Sequence, residues 1–553
     1  MNFRNRTTLW LVLTLSLVML WDNWTVYNGG SSLFFGSSST SEASKSTPKK
    51  TRAKSDLPQS SAQSASVPDG TKTGDKPAEN EVVRISTDIV VADFDSVGGV
   101  LERLELLKHK DKVDTSKNMV LFDTTATHTY IAQTGLIGGA FPNHKTKFVA
   151  KPGPRNLDGT NEIQLVFEAE QGGVKLTKTF TFKRGDYTIG VKHEVKNDTK
   201  AAIEPMLYLQ LLRDGAAPEG ESKLVSTFTG PAIYSESDKF QKIDFEKIEK
   251  GKQEHVAKAD NGWIAMVQHY FLSAFIPPEK AEREVFTRMI DKNLYAVGNI
   301  LPMGSIAPGA SKAMDVRLYS GPQESSVLEN AAPGLDLVKD YGWVTIIAKP
   351  IFWLMQHIQK VVENWGWTII LLTVLIKLAF APLSAASYRS MAKMKDFTPR
   401  MKEIRERYKD DKPLMNKYMM ELYKEEKINP LGGCLPVVIQ IPVFLALYWV
   451  LLASVEIRNA PWLGWITDLA MPDPYYILPL LMAGSMYIQQ KMSPPPADPM
   501  QAKVMMYMPL VFSVMFFFFP SGLVLYWIVN NVLSIAQQWW ITKQHETQKA
   551  KKV

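Results

Sequence analysis

TIILLTVLIKLAFAPL occupies residues 368–383, and its reading decides the architecture. The run is apolar enough to cross a bilayer, yet it carries Lys377 near its middle. A charge at that depth costs roughly 2.5 to 3.5 kcal/mol on insertion scales. Further apolar segments follow, so the C-terminal third reads as five spans: 365–386, 431–455, 475–490, 504–519 and 522–541. Each lies near the 17 to 25 residues or so that a hydrocarbon core demands. Loop charge orients them. The loop 387–430 holds twelve Lys or Arg, 456–474 holds one, 491–503 holds two, and the tail after Ile541 holds four. Basic and non-basic loops alternate as the positive-inside rule requires, with residues 519–522 (FPSG) as a tight outer turn.

Upstream, the chain changes character several times. Residues 1–28 carry Arg4 and Arg6 ahead of an apolar run from Leu9 to Trp21, with no small-residue cleavage site after it. They read as an uncleaved anchor with a cytoplasmic N-terminus. Residues 29–80 are rich in Ser, Thr, Lys and Pro and read as a flexible linker. Residues 81–340 alternate apolar and polar positions between Gly, Asn and Asp turns. Ile163, Leu165 and Phe167 share one face, Phe180 and Phe182 another, and Tyr187, Ile189 and Val191 a third, with QGG and KRGD as hairpin turns. That pattern predicts a large antiparallel β-sandwich. Residues 341–364 mix Trp343, Phe352 and Trp353 with Lys349, His357 and Lys360, as an amphipathic helix lying flat in the membrane interface does. The fold class is therefore mixed: a polytopic α-helical membrane protein, with a five-helix core over 365–541 and an N-terminal anchor helix, joined to an exported β-sandwich. A basic tail, 542–553, ends it in the cytoplasm.

The chain carries net charge +7 and a single cysteine, Cys434, which excludes an intramolecular disulfide. The β region contains no H-E-x-x-H, no G-x-S-x-G and no Walker A sequence, and its histidines lack metal-ligand spacing. No cofactor, metal or catalytic residue is expected. A scaffold or partner-binding surface is the reading for that domain.

Two features of the membrane part point to function. Thr373 lies one helical turn before Lys377 and Ser384 two turns after, so a polar stripe shares one face of the first span. Gln440, Ser485, Gln489, Ser513, Asn530, Asn531, Ser534 and Gln537 on other spans could meet it, whereas no span carries Asp or Glu near its centre. A charge without a counter-ion must meet water, backbone carbonyls or an incoming anion, which favours a hydrated groove; the competing reading is a lysine snorkelling to lipid phosphate. The second feature is the loop 387–430, a charged helical hairpin. Met391, Met394, Met401, Met415, Met419 and Met420 either fill its own seam or form an adaptable docking surface for hydrophobic chains.

The segments NPLGGCLPVVIQIPVFLALYWVL, DPYYILPLLMAGSMYIQQKMSP, DPMQAKVMMYMP and FPSGLVLYWIVNN, with the basic hairpin and the anchor before a β domain, closely resemble the YidC/Oxa/Alb family of membrane protein insertases in its Gram-negative form. The resemblance implies an inner-membrane protein with a periplasmic supersandwich and a five-helix core enclosing a hydrophilic groove. The family's groove charge, usually Arg, falls on Lys377, which keeps the charge and loses the planar guanidinium. Its polar substrate contact falls on Thr373 and an aromatic contact on Trp527; Ser384, Gln440 and Asn530 complete the expected groove. The partners so implied are nascent membrane proteins, the lipid bilayer, the Sec translocon, and ribosomes or the signal recognition particle pathway through the basic hairpin and tail. No covalent chemistry and no small-molecule substrate are implied. Two rival readings are a secondary transporter or channel using Lys377, which should have inverted repeats, and an anchored sugar-processing enzyme, which needs converging carboxylates in the β domain.

Overall fold

The computed structural model describes residues 56–60, 80–125, 128–218, 227–409, 411–426, 435–493, 507 and 513–550. The anchor read at 1–28, most of the linker read at 29–80 and half of the span read at 504–519 lie outside these residues. The chain divides into two compact units, Met1–Val338 and Lys339–Val553.

The first unit is built from two nine-stranded sheets between which the chain shuttles. Sheet I takes β1 (Val82–Ser86), β2 (Val90–Asp95), β3 (Val100–Lys110), β4 (Asn118–Thr124) and β5 (Thr129–Ile137). Sheet II then takes β6 (Val149–Ala150), β7 (Glu162–Gln171), β8 (Val174–Lys183) and β9 (Thr188–Asn197). After β10 (Met206–Asp214) in sheet I come β11 (Gly230–Ser235) and β12 (Lys239–Lys242) in sheet II, the short helix α1 (Phe245–Glu249), and β13 (Lys258–Ala259) in sheet I. Sheet II gains β14 (Trp263–Val267) and β15 (Phe271–Ile276), sheet I gains β16 (Arg283–Asp291) and β17 (Leu294–Pro302), and β18 (Ser311–Pro322) closes sheet II before the helix α2 (Ser325–Ala331). The orders are β1-β2-β3-β4-β5-β10-β17-β16-β13 and β12-β11-β14-β15-β18-β9-β8-β7-β6, with antiparallel pairing between neighbouring strands.

The period-two pattern explains the packing. On β7 and β8 Ile163, Leu165, Phe167, Phe180 and Phe182 are buried, each worth roughly 1.5–3 kcal/mol of apolar transfer. The QGG turn joins these strands with Gly172 and Gly173 at φ 61° and 74°, and a side chain on Gly172 would strike the Ala140 carbonyl at 2.4 Å. Phe94 of sheet I meets Phe180 of sheet II at 4.6 Å between ring centres. The Tyr130 hydroxyl crosses to the Met266 carbonyl at 3.3 Å.

The second unit is helical: α3 (Thr345–Val362), α4 (Trp365–Asp396), α5 (Thr398–Arg407), α6 (Lys412–Glu425), α7 (Leu435–Ala453), α8 (Ile477–Met492) and α9 (Ser521–Ala550). The sequence reading stopped the first span at 386, whereas α4 continues through Asp396, because no breaker stands in 387–396. In α5 Thr398 is already helical, and Phe397 occupies the cap position. Asp411 does cap α6, its Oδ1 accepting the Leu414 N–H at 3.0 Å. Among the described residues α4 is the one helix long and apolar enough to cross a membrane by length and composition.

Five of these helices share one apolar core. Ala348, Phe352 and Met355 of α3 pack with Ile369 and Leu372 of α4, Ala446 and Val450 of α7, Met482 of α8, and Leu523 and Tyr526 of α9. Leu371, Leu375 and Leu378, spaced by four and three along α4, remain exposed on the opposite face. At one end of this core, Lys339 forms a buried ion pair with Glu456 at 2.7 Å, its ammonium 4.3 Å from the Phe352 ring centre. The sequence reading missed this pair because Lys339 falls in the stretch read as β domain and Glu456 just past the span 431–455.

Candidate functional site: a polar seam between two helices

α4 and α9 run parallel. A side chain on Gly522 would stand 3.1 Å from Ile369, and contacts then recur down both helices: Lys377 with Ser534, Ala381 with Gln537, and Asp396 with His545. Gly522 lets the two backbones approach, and the polar residues begin below that point.

The Lys377 ammonium donates to the Ser534 hydroxyl at 2.7 Å, and that hydroxyl donates to the Asn530 carbonyl one turn earlier at 2.7 Å. The lysine is half-buried and meets no carboxylate among the described residues. Its recorded partner is therefore a hydroxyl, a neutral acceptor that serves when no counter-ion is at hand. Below it Gln537 donates to the Ala381 carbonyl at 3.1 Å, beside Pro382, whose ring denies the Leu378 carbonyl its helical partner. Asn530, Ser534 and Gln537 thus form an i, i+4, i+7 edge of α9 turned to α4. A second edge turns to α8: Asn531 donates to Ser485 at 3.0 Å and Gln538 to the Met492 carbonyl at 3.2 Å. The Asn530 side-chain carbonyl is buried without a hydrogen-bond partner among the described residues, an acceptor left for water or a polar guest.

Not every expected residue joins this seam. Thr373 is buried one turn above Lys377, with its hydroxyl turned back on the Ile369 carbonyl at 2.6 Å. Ser384 is buried. Gln440 donates to the Tyr526 hydroxyl, tying α7 to α9. Trp527, half-buried, packs edge-to-face on Phe444 at 4.7 Å and against Phe516 at 5.4 Å, at the edge of the apolar core. The partner that sequence reasoning left in a longer series is Ser534; its spacing from Asn530 was the available signal.

In the hairpin, Met401 is buried and accepts from the Tyr423 hydroxyl at 3.6 Å, filling the seam between α5 and α6. Met391, Met394, Met415 and Met419 are half-buried, and Met420 is exposed. In the β unit, a cleft of about 770 Å³ is lined by Glu162, Lys183, Asp186, Arg317, Ser326 and Asn330, among others. No group of His, Cys, Asp or Glu among the described residues could hold a metal ion.

Comparisons with known proteins cover nearly the whole chain. Residues 82–354 match the family described as the YidC periplasmic domain, and 357–549 the family described as 60Kd inner membrane protein. A protein of Janthinobacterium sp. (strain Marseille), named membrane protein insertase YidC, is 61% identical over 98% of each chain. One of the same name from Herminiimonas arsenicoxydans is 58% identical over 99% of each. A solved structure described as an active YidC insertase is 18% identical, covers 83% of this chain and 92% of its own, and superposes with a TM-score of 0.40.

Proposed function

The chain belongs to the YidC family of membrane protein insertases, and on that premise we propose that it inserts newly made proteins into the bacterial inner membrane by way of the polar seam beside Lys377. A protein entering the bilayer must move a polar flank through hydrocarbon, where each unsatisfied polar group costs several kcal/mol. A cavity holding water, Lys377, Ser534 and Asn530 shortens that apolar path. An acidic flank is attracted by the ammonium, and the membrane potential adds about 2.3 kcal/mol per charge per 100 mV. The substrate's hydrophobic segment slides past the exposed leucines of α4 into lipid. No bond is made or broken.

The observation that carries this reading is the Lys377 ammonium resting on a hydroxyl between two parallel helices. The finer reading keeps six spans with both termini cytoplasmic, the β unit in the periplasm, and the hairpin and tail meeting ribosomes, the signal recognition particle pathway or the Sec translocon through basic charge. The test is insertion of a short single-span substrate with an acidic flank by the purified protein in liposomes. Insertion by wild type and Lys377→Arg, and its loss in Lys377→Ala, supports the role of the seam; equal insertion by Ala and wild type rejects it. Solute flux without insertion would favour a transporter instead.

A further inference from the structure

Residues 56–60, DLPQS, lie within the stretch read as flexible linker, yet they are held against the outer face of sheet I. The inward residues of β5 are Tyr130 and Thr134, which reach sheet II through Met266 and His193. Alternation puts Gln133 on the outer face, and register brings Gln210, Gly298 and Phe286 beside it on β10, β17 and β16.

Two missing side chains shape this face. At Gly298 a Cβ would sit 2.2 Å from the Phe286 ring, so the phenyl lies directly on the backbone of β17. Arg288, two residues along the same strand, stacks over that ring at 5.3 Å. Its guanidinium then donates to two successive linker carbonyls, those of Asp56 and Leu57, the latter at 2.8 Å, and also to Gln210 Oε1 at 3.4 Å. At Gly135 a Cβ would collide with the Tyr208 hydroxyl at 2.7 Å. That hydroxyl accepts the His144 backbone N–H at 3.0 Å and meets His144 Nδ1 at 2.5 Å. His144 Nε2 meets the Asp56 carboxylate at 3.2 Å, and because a carboxylate only accepts, the ring nitrogen is the donor. Lys145 meets the other carboxylate oxygen. Pro58 is buried, and the Ser60 hydroxyl donates to Glu284 at 3.2 Å.

The pattern is specific: a carboxylate gripped by His144 and Lys145, two consecutive carbonyls gripped by one arginine, and a buried proline that offers no N–H. We propose that the outer face of sheet I is a recognition site for a short extended acidic peptide, and that residues 56–60 are its ligand in cis, a strap that fastens the linker to the β unit. The strap divides the stretch 29–80 into 29–55 and 61–80 and fixes a point of the chain well before β1. Because a tethered ligand acts at an effective concentration of order millimolar, a free peptide binds measurably only when the strap is disabled.

The full chain is tested with Cys434→Ser and a nitroxide on Gln59→Cys, an exposed strap position. The label is expected to be immobilised, and Arg288→Ala is expected to shorten its rotational correlation time about tenfold, into the sub-nanosecond regime of a loose segment. A second label on Lys192→Cys of β9 should not change, which separates release from unfolding. Asp56→Ala alters the strap alone and should give intermediate mobility. A fluorescent, terminally blocked peptide of residues 55–62 should bind the chain carrying Leu57→Gly and Pro58→Gly, and should not bind when Arg288→Ala and His144→Ala are added. A mobile label in the parent chain, mobility unaffected by Arg288→Ala, or peptide binding indifferent to the two groove substitutions would each overturn the proposal.

Discussion

Two lysines, one in each unit, solve the same problem by opposite means. Lys178 of β8 is fully buried between the sheets, where its ammonium donates to the Gly98 and Thr134 carbonyls at 2.7 Å each and lies 4.7 Å from the Phe148 ring centre. Every neighbour is fixed in place, and burial pulls its pKa down to about 7. Lys377 is half-buried and holds one hydroxyl, in a seam where Asn530 still has an acceptor to spare. The contrast extends to the two units. The first hides its large apolar residues with few exceptions, whereas the second leaves Leu371, Leu375, Leu378, Leu480, Leu481 and Trp540 exposed and gathers Thr373, Ser384, Asn530, Asn531 and Ser534 inside. The sandwich seals its charge into a structural knot; the helical unit leaves its charge half-buried on a single hydroxyl.

That comparison can be attacked at four points. The largest effect is expected where, among the described residues, the helical unit seals a charge pair: Glu456→Gln removes the carboxylate charge that Lys339 meets beside Phe352 and should destabilise this unit by about 3–5 kcal/mol, read as a lowered denaturation midpoint in detergent. Next, Lys377→Ala should reduce insertion of acidic-flank substrates about tenfold, equivalent to about 1.4 kcal/mol, with little change in that same midpoint. If the midpoint falls as far as for Glu456→Gln, Lys377 is structural too and the contrast fails.

Lys178 supplies the third test. Its folded pKa of about 7 lies below the 10.5 of the free side chain, so between these values the unfolded chain holds a proton that the folded chain releases. Stability therefore rises with pH across that window, by no more than about 1.4 kcal/mol per unit, and this dependence levels off below pH 7. Lys178→Met should flatten the slope between pH 7 and 9, measured by urea unfolding of the full chain with hydrogen exchange reporting on β8 and β9. An unchanged slope would mean that the ammonium stays protonated on its carbonyls. The smallest effect is expected for Asn531→Ala, about 0.5–1.5 kcal/mol for one hydrogen bond to Ser485, with insertion retained because this edge faces α8.

Much of the β unit was legible because its strands obey period two: Ile163, Leu165 and Phe167 announced β7, and glycine pairs marked the turn to β8. The assignment of strands to sheets was not, since partners such as β10 and β17 lie about ninety residues apart and pattern carries no address. For the candidate site, Lys377 announced itself by being a charge in an apolar run. Its partner did not, because a serine among several polar residues on α9 looks like any other until the two helices are laid side by side. Trp527 was legible by type alone, and only the structure shows that its ring packs against Phe444 and Phe516 at the edge of the core. The strap at 56–60 was invisible for a related reason. Its composition is that of a linker, and what holds it, Arg288 and His144, lies in strands and loops far along the chain.

Composition and periodicity alone thus determined that the chain has an alternating β half, a greasy helical half and a cation within the latter, because burial and solvation act on each residue type wherever it stands. Tertiary structure alone decided which oxygen meets Lys377, which side of α9 serves α8 and which serves α4, and that part of a polar linker is fastened down. Those outcomes depend on distances between residues remote in sequence, and hydrogen bonds form only over the last few ångström.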